Sequence, residues 1–362
     1  MAKSRTILPY VARLSRLKPA LALGAAIAIG CLSPIASAVP SSENAALRYW
    51  RVWSFMHAGT IRDDFNLVSV YDGAYDPEFN HADEGHEVVT SEDLLGSLEG
   101  FIDGLIEATE FPACDFGIDY DKGADALLPH LSPMRKSAQL LILDAKRLLA
   151  EGDTDGATER IAACFRLSQH ITGDTTLINS LVSLAVFALA EDLVLENQAS
   201  FSDANRQSIA EALARFQADD PFGCVKSVLG ESQHFGDWMM RRVDDEWSTP
   251  DRFAADFTAL FDGDPQDEIM SEFFDDSVKN PEDFRRLLRS QIEQYCTALH
   301  LMAEAWNSPD AEKSLNALEA KIIDGSFGTV TKVMAPALTR CHHNDMQGRE
   351  KLSRLREWAS VR

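Results

Sequence analysis

The chain has 362 residues, 45% of them hydrophobic and 25% charged, which is ordinary for a globular protein and enough to bury a large core. Its charge is not ordinary: 57 acidic against 34 basic residues leave a net −23. Such a surface repels nucleic acid and anionic lipid and favours solubility.

The first residues read as an export signal. Lys3, Arg5, Arg13, Arg16 and Lys18 precede an apolar run from Pro19 to about Leu32, followed by Pro34 and Ala36-Ser37-Ala38. A basic segment, an apolar segment and a small-residue site make a cleavable leader over residues 1–38, cut after Ala38. The run is short for a membrane anchor, which needs roughly 20 residues. An alternative is lipoprotein processing at Cys31, in Ala28-Ile29-Gly30-Cys31, where Ala28 stands at a position usually held by Leu. Loss of the leader's five positive charges would take the net charge from −23 to −28. The expected location is exported, periplasmic or secreted, with no membrane span once the leader is removed.

Five cysteines remain beyond the leader: Cys114, Cys164, Cys224, Cys296 and Cys341. An exported chain can form disulfides. The odd count leaves at least one thiol free or paired between chains, and no C-x-x-C spacing suggests zinc or redox chemistry. Cys164 and Cys296 lie on apolar helix faces and read as buried thiols.

In chain order, Ser41 or Ser42 can cap a helix whose face is Ala46, Tyr49, Trp50, Trp53 and Met56. Those aromatics could line a groove, but at this spacing they read as core. Residues 59–90 are irregular, with one short strand possible over Asn66–Tyr71 and an acidic loop after it. Thr90-x-x-Asp93 forms a capping box. The helix behind it carries Leu94, Leu98, Phe101, Ile102 and Leu105, and also Gly96, Gly100 and Gly104. Glycine costs about 1 kcal/mol against alanine inside a helix. A ridge of three therefore predicts close packing by another backbone.

The organising stretch is Leu127 to Glu196. Met134, Ala138, Leu141, Ala145 and Leu148 mark one helix, and Ala157, Ile161, Cys164 and Phe165 a second. The third is apolar nearly all round from Leu181 to Ala190, with only Ser183 polar, which predicts burial on several sides. Beyond it, cap residue plus proline recurs at Asp220-Pro221, Thr249-Pro250, Asp264-Pro265, Asn280-Pro281 and Ser308-Pro309, as it does at Ser132-Pro133. The longest stripe is Phe284, Leu287, Leu288, Ile292, Tyr295, Leu299, Met302 and Trp306. Ser202 caps a further helix, and Asp345–Val361 reads as a last one. The expected fold is all-α, about ten helices in an irregular array on a central three-helix unit. Residues 39–125 form N-terminal helices with acidic loops, 126–218 the central unit and 219–362 the C-terminal helices, all in one continuous domain.

The chain resembles a group of exported proteins from planctomycete-type bacteria that have no assigned activity. The likeness rests on Asn44-Ala45-Ala46 to Tyr49-Trp50, Cys114 in an acidic-aromatic loop, and Leu128-Pro129-His130-Leu131 with Arg135. Further matches are Asp144-Ala145, Gly152-Asp153 before a helix ending Arg166-Leu167, Leu177-Ile178, Leu181-Val182 and Ala335-Pro336-Ala337. It is densest over 111–190. It implies an exported helical protein and supplies no catalytic residue. The hairpin at Gly152-Asp153 also resembles, locally, a tetratricopeptide hairpin, but no 34-residue period runs through the chain.

Five constellations could carry chemistry. Asp153 and Asp155 fall at the third and fifth positions of a calcium-type loop, but Ala162 stands where a bidentate Glu is needed, so the stretch reads as a turn capping the next helix. The loop His81 to Glu87 (with Asp83, Glu84 and His86), the patch Cys114, Asp115, Asp119 and Asp121, and the cluster Cys341-His342-His343-Asn344-Asp345 in a turn all lack ordered ligand spacing. His130, before one helix, and His170, ending the next, could meet across the hairpin with Asp144 or Asp174 as orienting carboxylate, making an acid–base site. Otherwise His130 bonds locally and His170 complements a helix C-terminus. There is no G-x-S-x-G, P-loop or dinucleotide fingerprint. No catalytic, metal or cofactor residue is assigned. The expected role is a binding or structural protein of the cell envelope, with another envelope or periplasmic protein as partner. The alternative is a hydrolase-like enzyme using His130.

Overall fold

A computed structural model describes residues 42–55, 65–66, 68, 90–260, 280–335 and 338–360. The leader, the His81–Glu87 loop and Asp264-Pro265 lie outside the described residues, as does the Asn66–Tyr71 segment apart from Asn66 and Val68.

The described residues are all-α, with thirteen helices of seven or more residues and no strand. They are α1 Ala45–Ser54, α2 Ser91–Ser97, α3 Glu99–Thr109, α4 Leu131–Glu151, α5 Thr154–Ile171, α6 Leu177–Glu196 and α7 Asp203–Ala214. The rest are α8 Cys224–Asp245, α9 Pro250–Leu260, α10 Pro281–Trp306, α11 Ala311–Ile323, α12 Gly328–Met334 and α13 Leu338–Ser360. A 3₁₀ turn covers Tyr120–Asp125, and a lone parallel bridge pairs Asn44 with Ala113.

The central hairpin is built as its composition directs. Gly152 takes a left-handed conformation (φ 84°) that ends α4, and Asp153 accepts the Gly156 N–H at 2.9 Å to start α5. Asp155 accepts the Asn205 amide, so both acids of this turn serve helix ends rather than a cation.

The third helix, α6, is twenty residues long rather than the ten of its apolar core, and by length and composition alone it is apolar enough to cross a membrane. Here it is wrapped instead by α4, α5, α8 and α13, which bury Val186, Phe187, Ala190 and Val194. Its polar positions are satisfied. Ser183 and Ser168 each donate to the other's carbonyl at 2.8 and 2.9 Å, Ser180 bonds Ser227 at 2.8 Å, and buried Glu191 pairs with Lys351 of α13.

Several boundaries differ from the sequence expectation. Asn44, not Ser41 or Ser42, caps α1 by accepting from the Ala46 N–H at 3.0 Å. Ala46, Tyr49 and Trp53 of its face are buried, while Trp50 is 37% exposed. The proline-containing starts hold at Thr249-Pro250 and Asn280-Pro281. Helix α4 already begins at Leu131, so Ser132-Pro133 falls within its first turn. Asp220 stays a cap from a distance, its carboxylate taking the Val225 and Lys226 N–H groups. Ser308 does not cap α11. Cys341, His342 and Asp345 lie inside α13, which starts seven residues earlier than its basic pattern suggests, and not in a turn. One contiguous apolar cluster joins the elements from Ala45 to Leu355. All five described thiols are free and buried.

The glycine ridge is split in use. Leu98 (φ −105°, ψ 8°) breaks the expected single helix into α2 and α3. A Cβ at Gly104 would stand 2.8 Å from Val52 of α1, so that glycine allows the close approach expected of it. Gly96 and Gly100 would meet nothing within 4 Å. Close backbone approaches lie elsewhere, at Gly173, where a Cβ would lie 2.3 Å from the Cys114 carbonyl, and at Gly230 of α8, where it would lie 2.4 Å from the Thr175 carbonyl. We therefore expect Gly230→Ala to lower stability by about 1–3 kcal/mol and Gly100→Ala to raise it by up to about 1 kcal/mol. Urea midpoints would measure both, and an unaffected Gly230→Ala would contradict the close approach.

Candidate functional site

His130 does meet a carboxylate, and it is Asp174. The Leu128–His130 turn sets the ring at the foot of α4, and the α5–α6 connection carries Asp174 to it, with Nε2 3.0 Å from Oδ2. Asn179, in the first turn of α6, has its amide nitrogen 3.2 Å from the same carboxylate oxygen and 3.3 Å from the Ile171 carbonyl. The one consistent assignment has both the imidazole Nε2–H and the Asn179 amide donating to Asp174. The 3.2 Å approach between Asn179 Nδ2 and His130 Nε2 is then contact without a bond. The other oxygen of Asp174 accepts the Tyr120 hydroxyl at 3.1 Å, and the Thr175 N–H donates to that hydroxyl at 3.1 Å. Tyr120 stacks on His234 of α8 with ring centroids 4.4 Å apart, and His234 Nε2 lies 3.1 Å from the Thr175 hydroxyl.

This centre is shut. His130 is fully buried, and Phe116 covers one face of its ring at 4.2 Å between centroids. Its Nδ1 reaches neither solvent nor a hydrogen-bond partner. General acid–base work needs a nitrogen within reach of a substrate proton. Here one nitrogen is spent on Asp174 and the other is enclosed.

His170 belongs to a different group. Its Nδ1 accepts the Tyr49 hydroxyl at 2.9 Å and its Nε2–H donates to the Phe111 carbonyl at 2.9 Å. Burial pulls its pKa down to about 4, so the ring is neutral and pins α1 to α5. Asp144 also stands apart, held by Arg147 and Arg160 at 2.7 and 2.9 Å. The two histidines therefore do not form one site.

The polar patch after Cys114 disperses in the same way. Cys114 is buried, with its thiol pKa driven up first by burial and then by the charge of Asp174. Asp115 turns back on the Gly117 N–H, Asp119 pairs with Lys122, and Asp121 faces Arg241. In α13, Asp345 accepts from Trp306 Nε1 and Arg349 Nε at 2.8 and 2.7 Å, and His342 packs edge-on to Trp306. Among the described residues no group of three potential ligands is placed to hold a metal ion.

Glu231 was not singled out by sequence, although it sits on the buried stripe of α8 with Val228 and Phe235, where a carboxylate is out of place. Its Oε1 accepts the Leu177 N–H at 3.0 Å, and with Tyr120, Thr175, Thr176 and His234 it lines a small cavity of about 20 Å³. That space suits roughly one water molecule and no substrate. Burial raises the Glu231 pKa to about 8.

Among the described residues an open concavity lies between α1 and α3. Arg48, Arg51, Val52 and Phe55 form a single stripe of α1 at helical spacing, and Gly100, Phe101, Gly104 and Glu107 form the facing stripe of α3. Val52 reaches α3 at Gly104, and a groove of about 380 Å³ lined by both stripes includes Ser97. Gly100 leaves bare backbone along one wall. Val52 and Phe101 are buried at its base, whereas Phe55 is 56% exposed. Arg48 lies over the Phe111 ring at 4.9 Å. Neither Arg48 nor Arg51 pairs with a carboxylate among the described residues.

The buried titrations set opposite pH slopes. Glu231 is neutral in the folded chain up to about pH 8 but ionises near 4.5 when unfolded, so its contribution is full below 4.5 and is lost as pH rises through 8. His170 contributes fully above 6.5 and loses that contribution as pH falls toward 4. We expect Glu231→Gln to gain stability over the wild type as pH rises from 5 to 8.5, on the order of 4 kcal/mol at the upper end. Denaturant unfolding across that range checks it, and a constant difference would remove Glu231 as the source.

No family model, no curated protein and no solved structure matches this chain.

Proposed function

We propose that this is an exported, non-catalytic binding protein of the cell envelope, and that the groove between α1 and α3 is its binding face. The observation that carries the reading is a contrast in access. The His130–Asp174 centre is sealed, whereas the α1/α3 groove is open, apolar at its base and edged by two guanidinium groups without carboxylate partners among the described residues. Its volume of about 380 Å³ falls in the usual range for small-ligand sites, roughly 300–1,000 Å³. A hydrolytic role for His130 draws no support from this geometry. Export rests on the leader-like residues 1–38, and a partner in the envelope follows from that location.

Two measurements test the reading. A neutral solvatochromic dye such as Nile red should brighten on binding the wild-type protein. Gly100→Leu should abolish that signal while melting at the wild-type temperature or above, because the new side chain fills open space and not a packed contact. Equal dye binding by both proteins would remove the groove as the site. For export, intact-mass analysis of the protein from its native cells should give a chain beginning at Val39. An N-terminus at a lipid-modified Cys31 would replace cleavage after Ala38 by anchoring, and an uncleaved cytoplasmic chain would defeat the proposal.

A further inference from the structure

We infer that the groove takes a medium-chain fatty carboxylate, with its head between Arg48 and Arg51 and its tail over Gly100. This rests on the reading of the groove as a binding face and adds the chemistry of its occupant.

Arg48 and Arg51 are one turn apart on α1, so both guanidinium groups rise from the same side of the helix. Most arginines of α5 and α8 are tied to neighbours: Arg160 to Asp144, Arg166 to Glu110, Arg241 to Asp121 and Arg242 to Asp125. Among the described residues Arg48 rests on the face of Phe111, a contact that leaves the edge of its guanidinium to donate. Glu107 lines the same groove without forming an ion pair to either arginine. On a chain of net charge −23, two cations without carboxylate partners among the described residues, beside an apolar recess, select an anion.

The recess behind them selects the rest of the ligand. From the arginines it runs past Val52 to Phe55 and Phe101, and among the described residues its other polar side chains are Ser97 and Glu107. Arg48 to Phe55 spans seven residues, about 10 Å at 1.5 Å per residue. That length and a volume near 380 Å³ match a linear chain of about ten carbons better than a protein segment, whose interface would be far larger. The missing side chain at Gly100 is what opens the tail channel. A glycine in the first turn of α3 with open space over it adds no packing, unlike Gly104, which seats Val52.

The chemistry can be tested with decanoate and 1-decanol, both below their aggregation thresholds, as competitors of Nile red. Decanoate should displace the dye from the wild-type protein. Arg51→Gln should weaken decanoate about tenfold or more, the usual consequence of losing one charge-assisted hydrogen bond, and should leave 1-decanol unchanged. Gly100→Leu, checked by its melting curve, should lose both ligands. If Nile red binds and Gly100→Leu blocks it, but decanoate fails to compete or loses nothing in Arg51→Gln, the groove stands and the carboxylate assignment falls. If no probe enters the wild-type groove, the binding face and the assignment fall together. Displacement by an amphipathic acidic peptide but not by decanoate would overturn the assignment in favour of a protein partner.

Discussion

Asp174 is the charge on which the fold closes. It lies in the short connection between α5 and α6 and takes hydrogen bonds from the 3₁₀ turn through Tyr120, from the foot of α4 through His130 and from α6 through Asn179. The residues around it grip the other side of the molecule. Thr175 presses its carbonyl against Gly230 of α8 and bonds His234, while Lys226 caps the carbonyls of Thr172 and Gly173. A buried carboxylate is costly unless it is fully bonded. Once it is bonded, each donor holds its own helix in register, so a single charge sets the relative position of four chain segments.

That economy bears on function. The residues with the most catalytic look, a histidine and an aspartate at 3.0 Å, are those most thoroughly used for architecture. Geometry alone would flag them, and access decides against them. The feature left with an open face has weaker chemistry, two arginines and an apolar recess, but chemistry pointed at solvent. Different sides of α1 thus face the packed interior and the groove. Tyr49 secures the helix to His170 on its buried side, and Arg48 and Arg51 lie along the side that faces the groove.

Much of the architecture was legible in sequence because it depends on period and on caps. The six-turn stripe of α10, the capping box at Thr90 and Asp93, and Asp153 in its turn all follow from residue type and spacing. The site was less legible because it depends on distance across the fold. Asp174 was a candidate partner of His130, but nothing local to Tyr120, Phe116 or Asn179 signals that they converge on it. Glu231 did leave a trace, as an acid on an otherwise apolar stripe. The glycine ridge was read correctly as a device for close approach at Gly104 and incorrectly at Gly96 and Gly100. Spacing within one helix shows which residues share a face, but not how far its neighbour runs along it. Here α1 ends at Ser54, two residues beyond its contact at Val52, and the ridge continues past that contact.

The five buried thiols give the molecule a particular relation to oxidants. Burial holds each one in the protonated form, with Cys296 and Cys341 pushed up to about 12, and the thiol form reacts slowly with disulfides, peroxides and alkylating agents. The native chain is therefore protected by its own packing rather than by cross-linking. That protection lasts only while the core is closed. Any opening large enough to expose α5, α8 or α10 releases a cysteine at its ordinary reactivity, and with five thiols and no native pairing to direct them, oxidation of the opened chain can trap it in wrong linkages. For such a protein, the time spent open matters as much as the free energy of folding: each excursion carries a risk of covalent damage that refolding does not undo.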